Sequence, residues 1–407
     1  MIIMLDATPL VTRNISGVQQ HARNIVSEWS QQRVEHKFIL LINQHSAQDP
    51  ACDLSFVKGL NPDFSIRFFR PSARGWLKHE ATRLPFLSGL SQGAADAANV
   101  YHSFSPDISA FSELPAAPIC HTIHDLSCEL DPAVRSLPAA AEDRRIYRQD
   151  VKKADCTITV SLRTMDDIIS LYHPPRQQVH VVSNGLNPVF NSAPDPVARQ
   201  RLADRCGPLG RYVLVVGADI PRRNYARLWE AMRGVWRTEP GLRLVLAGRN
   251  PWSQTPVHQK VMEQGFKERV TFIESPDDSE LAELYRNAEL TCCGSSFEGF
   301  GLSVLEAMAC GSAVACSHMR SLEALAGNSV VYFSHDDVRM ITESILALIQ
   351  DPEYRRQLRS RALARTALYS WARSARTLME LFEKIATRRT NAVHEPAHLQ
   401  SPPSQTV

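Results

Sequence analysis

Apolar residues fall into two kinds of stretch along this chain. Residues 2–5, 38–42, 100–103, 118–123, 156–160 and 179–182 are short runs in which almost every position is apolar or small. Such runs lack the alternation of a half-exposed strand and are too short for a helix. They predict strands buried on both faces, as in a parallel sheet. Between them apolar positions recur every three to four residues. Residues 17–29 carry Val18, Ala22, Ile25 and Val26 on one helical face, residues 139–153 predict a second helix, and Ser161 predicts the cap of a third. The same alternation resumes with strands at 212–216, 244–247, 270–273, 290–293 and 313–316. Helices are predicted after residue 224 to about 236, and at 280–287, 302–309, 338–349, 352–368 and 370–388. Two successive series of strand and helix predict an α/β protein with two doubly wound, Rossmann-like domains. Residues 191–210, rich in proline, glycine and charge, predict a linker, and the aperiodic polar residues 389–407 predict a disordered tail.

Composition narrows the class. The chain has 407 residues, enough for two domains at ~100–200 residues each. A net charge of +2 argues against a nucleic-acid binder. The nine cysteines are scattered, odd in number and mostly in apolar runs, with no Cys-x-x-Cys pair. They predict reduced core residues and a cytoplasmic protein. The N-terminus lacks the basic flank and length of a signal peptide, and no apolar segment reaches the ~20 residues of a membrane span.

Candidate chemistry concentrates at 295–311. An apolar strand ends at Cys293, Gly299 and Gly301 interrupt the pattern, a helix begins at Leu302, and Gly311 is placed to end it. A glycine-bearing loop that opens a helix presents backbone N–H groups at the positive end of the helix dipole, which suits a phosphate. Glu298 and Glu306 bracket the loop. Carboxylates repel phosphate, so these two are expected to accept hydrogen bonds from neutral hydroxyls. A diphosphate between two polyhydroxylated rings, a nucleotide-sugar, meets both demands.

The run Phe-Glu-Gly-Phe-Gly-Leu-x-Val-Leu-Glu-Ala-Met-Ala-x-Gly from Phe297 to Gly311, with Glu298 and Glu306 separated by seven residues, resembles the signature of the retaining GT-B glycosyltransferases of the group 1 type, family 4. Other elements are similar to that family: Gly17 in the first βα turn, His124-Asp125-Leu126 after a strand, Asn184-Gly185, and Pro221-Arg222-Arg223-Asn224 after Gly217, with Arg223 where lysine is usual. Gly248-Arg249 ends a further loop on the same sheet edge. There are departures: Ser275 stands where glycine is usual, Gly294 and Glu323 where proline is usual, and Ala324 where glutamate is usual.

The resemblance implies a GT-B fold, two Rossmann-like domains facing across a cleft. It implies an acceptor-binding domain at 1–190, a linker at 191–210, a donor-binding domain at 211–369 and a last helix, 370–388, crossing back. The implied reaction moves a hexose from a nucleoside diphosphate sugar to a glycan or lipid-linked acceptor, with retention, in cell-surface polysaccharide synthesis. In it Arg222 and Arg223, with the N–H groups of Phe300, Gly301, Leu302 and Ser303, stabilise the leaving diphosphate. Glu298 holds sugar hydroxyls, Glu306 the ribose, and His124 orients the sugar. Gly17, Gly217, Asn224, Gly248, Arg249 and Gly299 line the donor. The Pro-Arg-Arg-Asn turn leans toward GDP-mannose. No Asp-x-Asp triplet occurs, so no metal and no other cofactor is expected. Interleaved basic and aromatic residues at 66–88 suit peripheral contact with inner-leaflet lipid. Two other activities share this pattern: a GT-B sugar-nucleotide epimerase, and a non-catalytic nucleotide-sugar-binding subunit.

Overall fold

Both predicted parallel sheets are present. The structure, a computed structural model, describes residues 1–12, 16–32, 35–43, 52–69, 98–108, 117–249 and 251–394. The first sheet comprises β1 (Ile2–Asp6), β2 (Lys37–Asn43), β3 (Phe64–Phe69), β4 (Val100–Ser103), β5 (Ile119–Ile123), β6 (Cys156–Thr159) and β7 (Val179–Val181), in the order β3-β2-β1-β4-β5-β6-β7. The second comprises β8 (Tyr212–Val216), β9 (Arg243–Gly248), β10 (Val270–Glu274), β11 (Leu290–Cys293), β12 (Val314–Ser317) and β13 (Val331–Phe333), in the order β10-β9-β8-β11-β12-β13. Every pair in the second sheet is parallel. Strand order therefore reverses beside β1 in one sheet and beside β8 in the other. Ligands of open α/β sheets bind beyond the carboxyl ends of the strands at such reversals.

The chain divides into two compact units. One holds Met1–Thr122, Asp150–Ile158 and the described residues from Ala375 onward; the other holds Ile123–Gln149 and Thr159–Ser374. In the first, the helix Gly17–Gln31 buries Ala22, Ile25, Val26 and Trp29. Trp29 stacks on Phe38, ring centroids 5.3 Å apart, and donates its indole N–H to the carbonyl of Ala375 at 3.0 Å. Ala375 belongs to the last helix, Trp371–His394, whose Phe382 lies 5.2 Å from the His102 ring. Fully buried His121 meets the Thr157 hydroxyl at 2.8 Å, and burial pushes its pKa down to about 3.

In the second unit both sheet faces are covered. Along β8, Val213 and Val215 face Leu228, Trp229 and Met232, while Tyr212 and Leu214 face Leu284, Leu305 and Met308. That is the period-two division of a fully buried strand.

Some segments differ from the sequence reading. Residues 191–210, expected as a linker, contain the helix Pro196–Cys206, capped by Asp195. It is tied to the helix Asp278–Asn287, where Glu283 accepts the Asp195 N–H at 2.7 Å and Glu280 accepts Arg205 at 3.1 Å. Only Ala198 and Leu202 of that helix are buried, so its composition looks like a linker's. The last helix continues to His394, so 389–394, expected to be disordered, are helical; 395–407 lie outside the described residues. Of the stretch 66–88, residues 66–69 belong to β3, and 70–88 lie outside the described residues. No described helix is long and apolar enough to cross a membrane.

Candidate active site

Two loops meet at the carboxyl ends of β8 and β11, where the strand order of the second sheet reverses. After β8 the chain passes Gly217, turns through Pro221–Arg223 and enters the helix Tyr225–Thr238. Asn224 makes the turn possible: it is left-handed, φ 59°, and donates to the carbonyls of Gly294 at 3.1 Å and His335 at 2.7 Å. Asparagine tolerates that conformation better than most residues. Its partner Gly294 lies at the base of the second loop, so the side chain fastens one loop to the other.

The two guanidinium groups converge on Glu298. Arg222 donates to Glu298 Oε2 at 3.2 Å and to the carbonyl of Phe297 at 3.1 Å. Arg223 donates to Glu298 Oε1 at 2.5 Å and to the Ser295 hydroxyl at 3.3 Å, and that hydroxyl donates to Glu298 Oε1 at 2.9 Å. Glu298 is 8% exposed. Burial alone would lift its pKa, but Arg223 and then Arg222 outweigh this and hold it below the usual carboxylate value. Burial opposes the charge of Arg223, and Glu298 reverses that effect, so its pKa rises above the usual value. The Nε of Arg223 is buried with no hydrogen-bond partner among the described residues. It faces Gly217, where a Cβ would lie 2.9 Å away.

The helix Leu302–Ala309 begins immediately beyond. Its cap residue is Gly301, left-handed at φ 98°, and no side chain caps it. The first N–H groups of a helix have no intrahelical acceptor, so this end is electropositive and able to donate. One turn in, Glu306 is buried and accepts the Tyr285 hydroxyl at 3.1 Å.

A third piece of chain completes the site. A Cβ on Gly299 would stand 2.1 Å from the carbonyl oxygen of His124, so only glycine lets the two backbones approach. The Asp131 carboxylate accepts the Ser296 hydroxyl. His124 thereby lies beside the Glu298 loop although 174 positions separate the two in sequence.

The structure thus brings together His124, Gly217, Arg222, Arg223, Asn224, Glu298, Gly299, Phe300, Gly301, Leu302, Ser303 and Glu306. Gly248 joins them: its Cβ would lie 2.4 Å from the carbonyl oxygen of Gly217. Arg249 lies beside Asp278. Gly17 lies in the other unit, where it opens a helix capped by Ser16. Ser275, where the resemblance led us to expect glycine, adopts φ 47°, a conformation that glycine takes without strain. Among the described residues no group of three or more His, Cys, Asp or Glu side chains is placed to hold a metal ion. Sequence reasoning gave no site role to Asp131, to Tyr285, to Ser295 and Ser296 within the candidate stretch, or to Ser321, whose hydroxyl donates to the Glu298 carbonyl at 2.6 Å. Asp131-Pro132 was readable as a helix start, but nothing in sequence pairs it with Ser296.

Comparison with known proteins gives matching families for both halves. Residues 209–365 match the family described as glycosyl transferases group 1, and residues 15–190 match glycosyltransferase family 4. A D-inositol 3-phosphate glycosyltransferase of Thermobispora bispora is 28% identical over 67% of this chain and 66% of its own. O-antigen chain mannosyltransferase B of Escherichia coli is 28% identical over 61% of this chain and 66% of its own. The chain therefore matches just under two thirds of the length of each. The crystal structure of Anabaena HepE in complex with UDP-glucose superposes with a TM-score of 0.70 at 15% identity, covering 94% of this chain and 99% of that one.

Proposed function

The chain belongs to the group 1 glycosyltransferases and has their GT-B fold, and from that premise we propose that it transfers a mannose-like hexose from a nucleoside diphosphate sugar to a hydroxyl of a glycan or lipid-linked acceptor, with retention and without a metal. The observation that carries this reading is the convergence of Arg222 and Arg223 with the uncapped start of the Leu302–Ala309 helix at one sheet reversal. Three cationic or partly cationic groups at one point suit a diphosphate.

The sugar C1–O bond to the diphosphate breaks as the acceptor oxygen bonds to C1. The acceptor's proton passes to a diphosphate oxygen, which becomes more basic as it departs. Arg222, Arg223 and the N–H groups of Leu302 and Ser303 stabilise the negative charge that grows there. The Glu298 carboxylate, kept ionised by the arginines, faces sugar hydroxyls and offsets positive charge on the ring. Glu306 takes the ribose hydroxyls, and His124 orients the sugar. Support for mannose comes from the mannosyltransferase relative and the Pro-Arg-Arg-Asn turn. Inner-leaflet acceptors would place the enzyme in the cytoplasm, at the membrane face.

A thermal-shift panel of GDP, UDP, GDP-mannose and UDP-glucose tests the donor. A ligand at 100 times its Kd adds about 2.7 kcal/mol, an easily seen shift. Failure of all four to stabilise the protein would overturn the reading. NMR of the product anomer tests retention, and turnover unchanged by chelator tests metal independence.

A further inference from the structure

The Asp131 carboxylate is 2% exposed and both its oxygens are engaged. Oδ1 accepts the N–H groups of Ala133 at 2.8 Å and Val134 at 3.2 Å, capping the short helix Pro132–Arg135. A cap alone needs one oxygen. Oδ2 accepts the hydroxyl of Ser296, two residues before Glu298. Ser296 is bound in turn to the arginine turn, donating its N–H to the Arg222 carbonyl at 2.8 Å. A second contact lies nearby, the His124 carbonyl against Gly299. The segment bearing His124 is therefore hydrogen-bonded to the loop bearing Glu298 at one point and packed closely against it at another, and the hydrogen bond reaches Arg222 through Ser296.

We propose that Asp131 is a positioning residue for transfer: its hydrogen bond to Ser296 fixes the His124 segment against the Glu298 loop. The proposal rests on the transferase reading above. Asp131 touches no reacting atom; it sets the spacing between the histidine that orients the sugar and the carboxylate that faces it. Errors of about 1 Å in such spacing cost up to 100-fold in rate. Cutting this hydrogen bond leaves Arg222 and Arg223 their own hydrogen bonds to Phe297, Ser295 and Glu298, and leaves the Ser296 N–H on the Arg222 carbonyl, so nucleotide affinity changes little.

The test uses the full chain with Ser296→Ala, Asp131→Ala, Asp131→Asn and the Ser296→Ala/Asp131→Ala double variant. Ser296→Ala is decisive because it leaves the helix cap intact. GDP and UDP affinities are measured by calorimetry, kcat by the release of GDP or UDP from GDP-mannose and UDP-glucose with water taking the sugar, and backbone exchange of residues 124–131 by mass spectrometry. Expected results are a kcat roughly tenfold lower in both single alanine variants, a double variant no worse than the poorer single one, and nucleotide Kd within twofold of wild type. Asp131→Asn should recover most of kcat, because its amide oxygen keeps the cap while its N–H reaches the Ser296 hydroxyl. Residues 124–131 should exchange faster in Ser296→Ala while residues 212–216 do not change. Wild-type kcat in Ser296→Ala, independent losses that multiply, or unchanged exchange at 124–131 would each overturn the proposal. A wild type that turns over neither donor would remove the transferase reading instead; the exchange result then decides the positioning claim by itself.

Discussion

A carboxylate held between two guanidinium groups is stable only while both charges remain. Removing one partner of such a buried pair strands the other, so Glu298→Gln should cost about 3 kcal/mol, measured as a shift in urea midpoint. The depressed pKa of Glu298 fixes the sign with pH. Its contribution is present above the ordinary glutamate value and is lost as pH falls through the lower folded value. His121 acts in a higher window. Its folded pKa of about 3 lies below the unfolded value of 6.5, so the unfolded chain binds a proton that the native state refuses. Stability should therefore fall by about 1.4 kcal/mol per pH unit as pH drops from 6.5 toward 3. His121→Gln should flatten that slope between pH 6.5 and 4.5 in urea titrations, whatever it does to stability at pH 7. The residues of both charge effects were visible in the sequence, but the pairing of Arg222 and Arg223 with Glu298 and the full burial of His121 were not. The convergence of Arg222 and Arg223 on Glu298 depends on Asn224 holding a left-handed turn, and such conformations are weakly encoded one residue at a time.

At the scale of elements, legibility followed burial. Strands such as β8 and β11 are covered on both faces and read as continuous apolar runs. β3 carries Ser65 and Arg67 at a sheet edge, and β13 has three residues, so neither stood out. The helices Pro196–Cys206, Pro256–Glu263 and Arg320–Ala326 were missed because they bury few apolar positions, or because a short run hides the period. The helix Trp371–His394 was found because its apolar stripe is long. Phe382 sits in that stripe, fully buried between Trp29 and His102. Phe382→Ala should cost about 3–5 kcal/mol by calorimetry, since the aromatic cluster cannot collapse into the space left.

At the scale of the whole molecule, the backbone changes unit after residues 122, 149, 158 and 374. The piece 123–149, with His124 and Asp131, folds with strands encoded nearly a hundred residues later. A shortened protein holding only 209–365, the stretch matched to the group 1 family, would keep Arg222, Arg223 and the Leu302–Ala309 helix. It would lose the chain that covers Gly299 and the acceptor of the Ser296 hydroxyl. A folded fragment should still bind GDP or UDP by calorimetry, because Arg222, Arg223 and the helix start remain, and assays should find no turnover. The conformational freedom of a glycine was surrendered to admit one carbonyl from a distant part of the gene. A recombination event that exchanged the second half of this gene for a cousin's would therefore have to bring residues 123–149 with it, or leave the incoming loop facing a stranger's backbone.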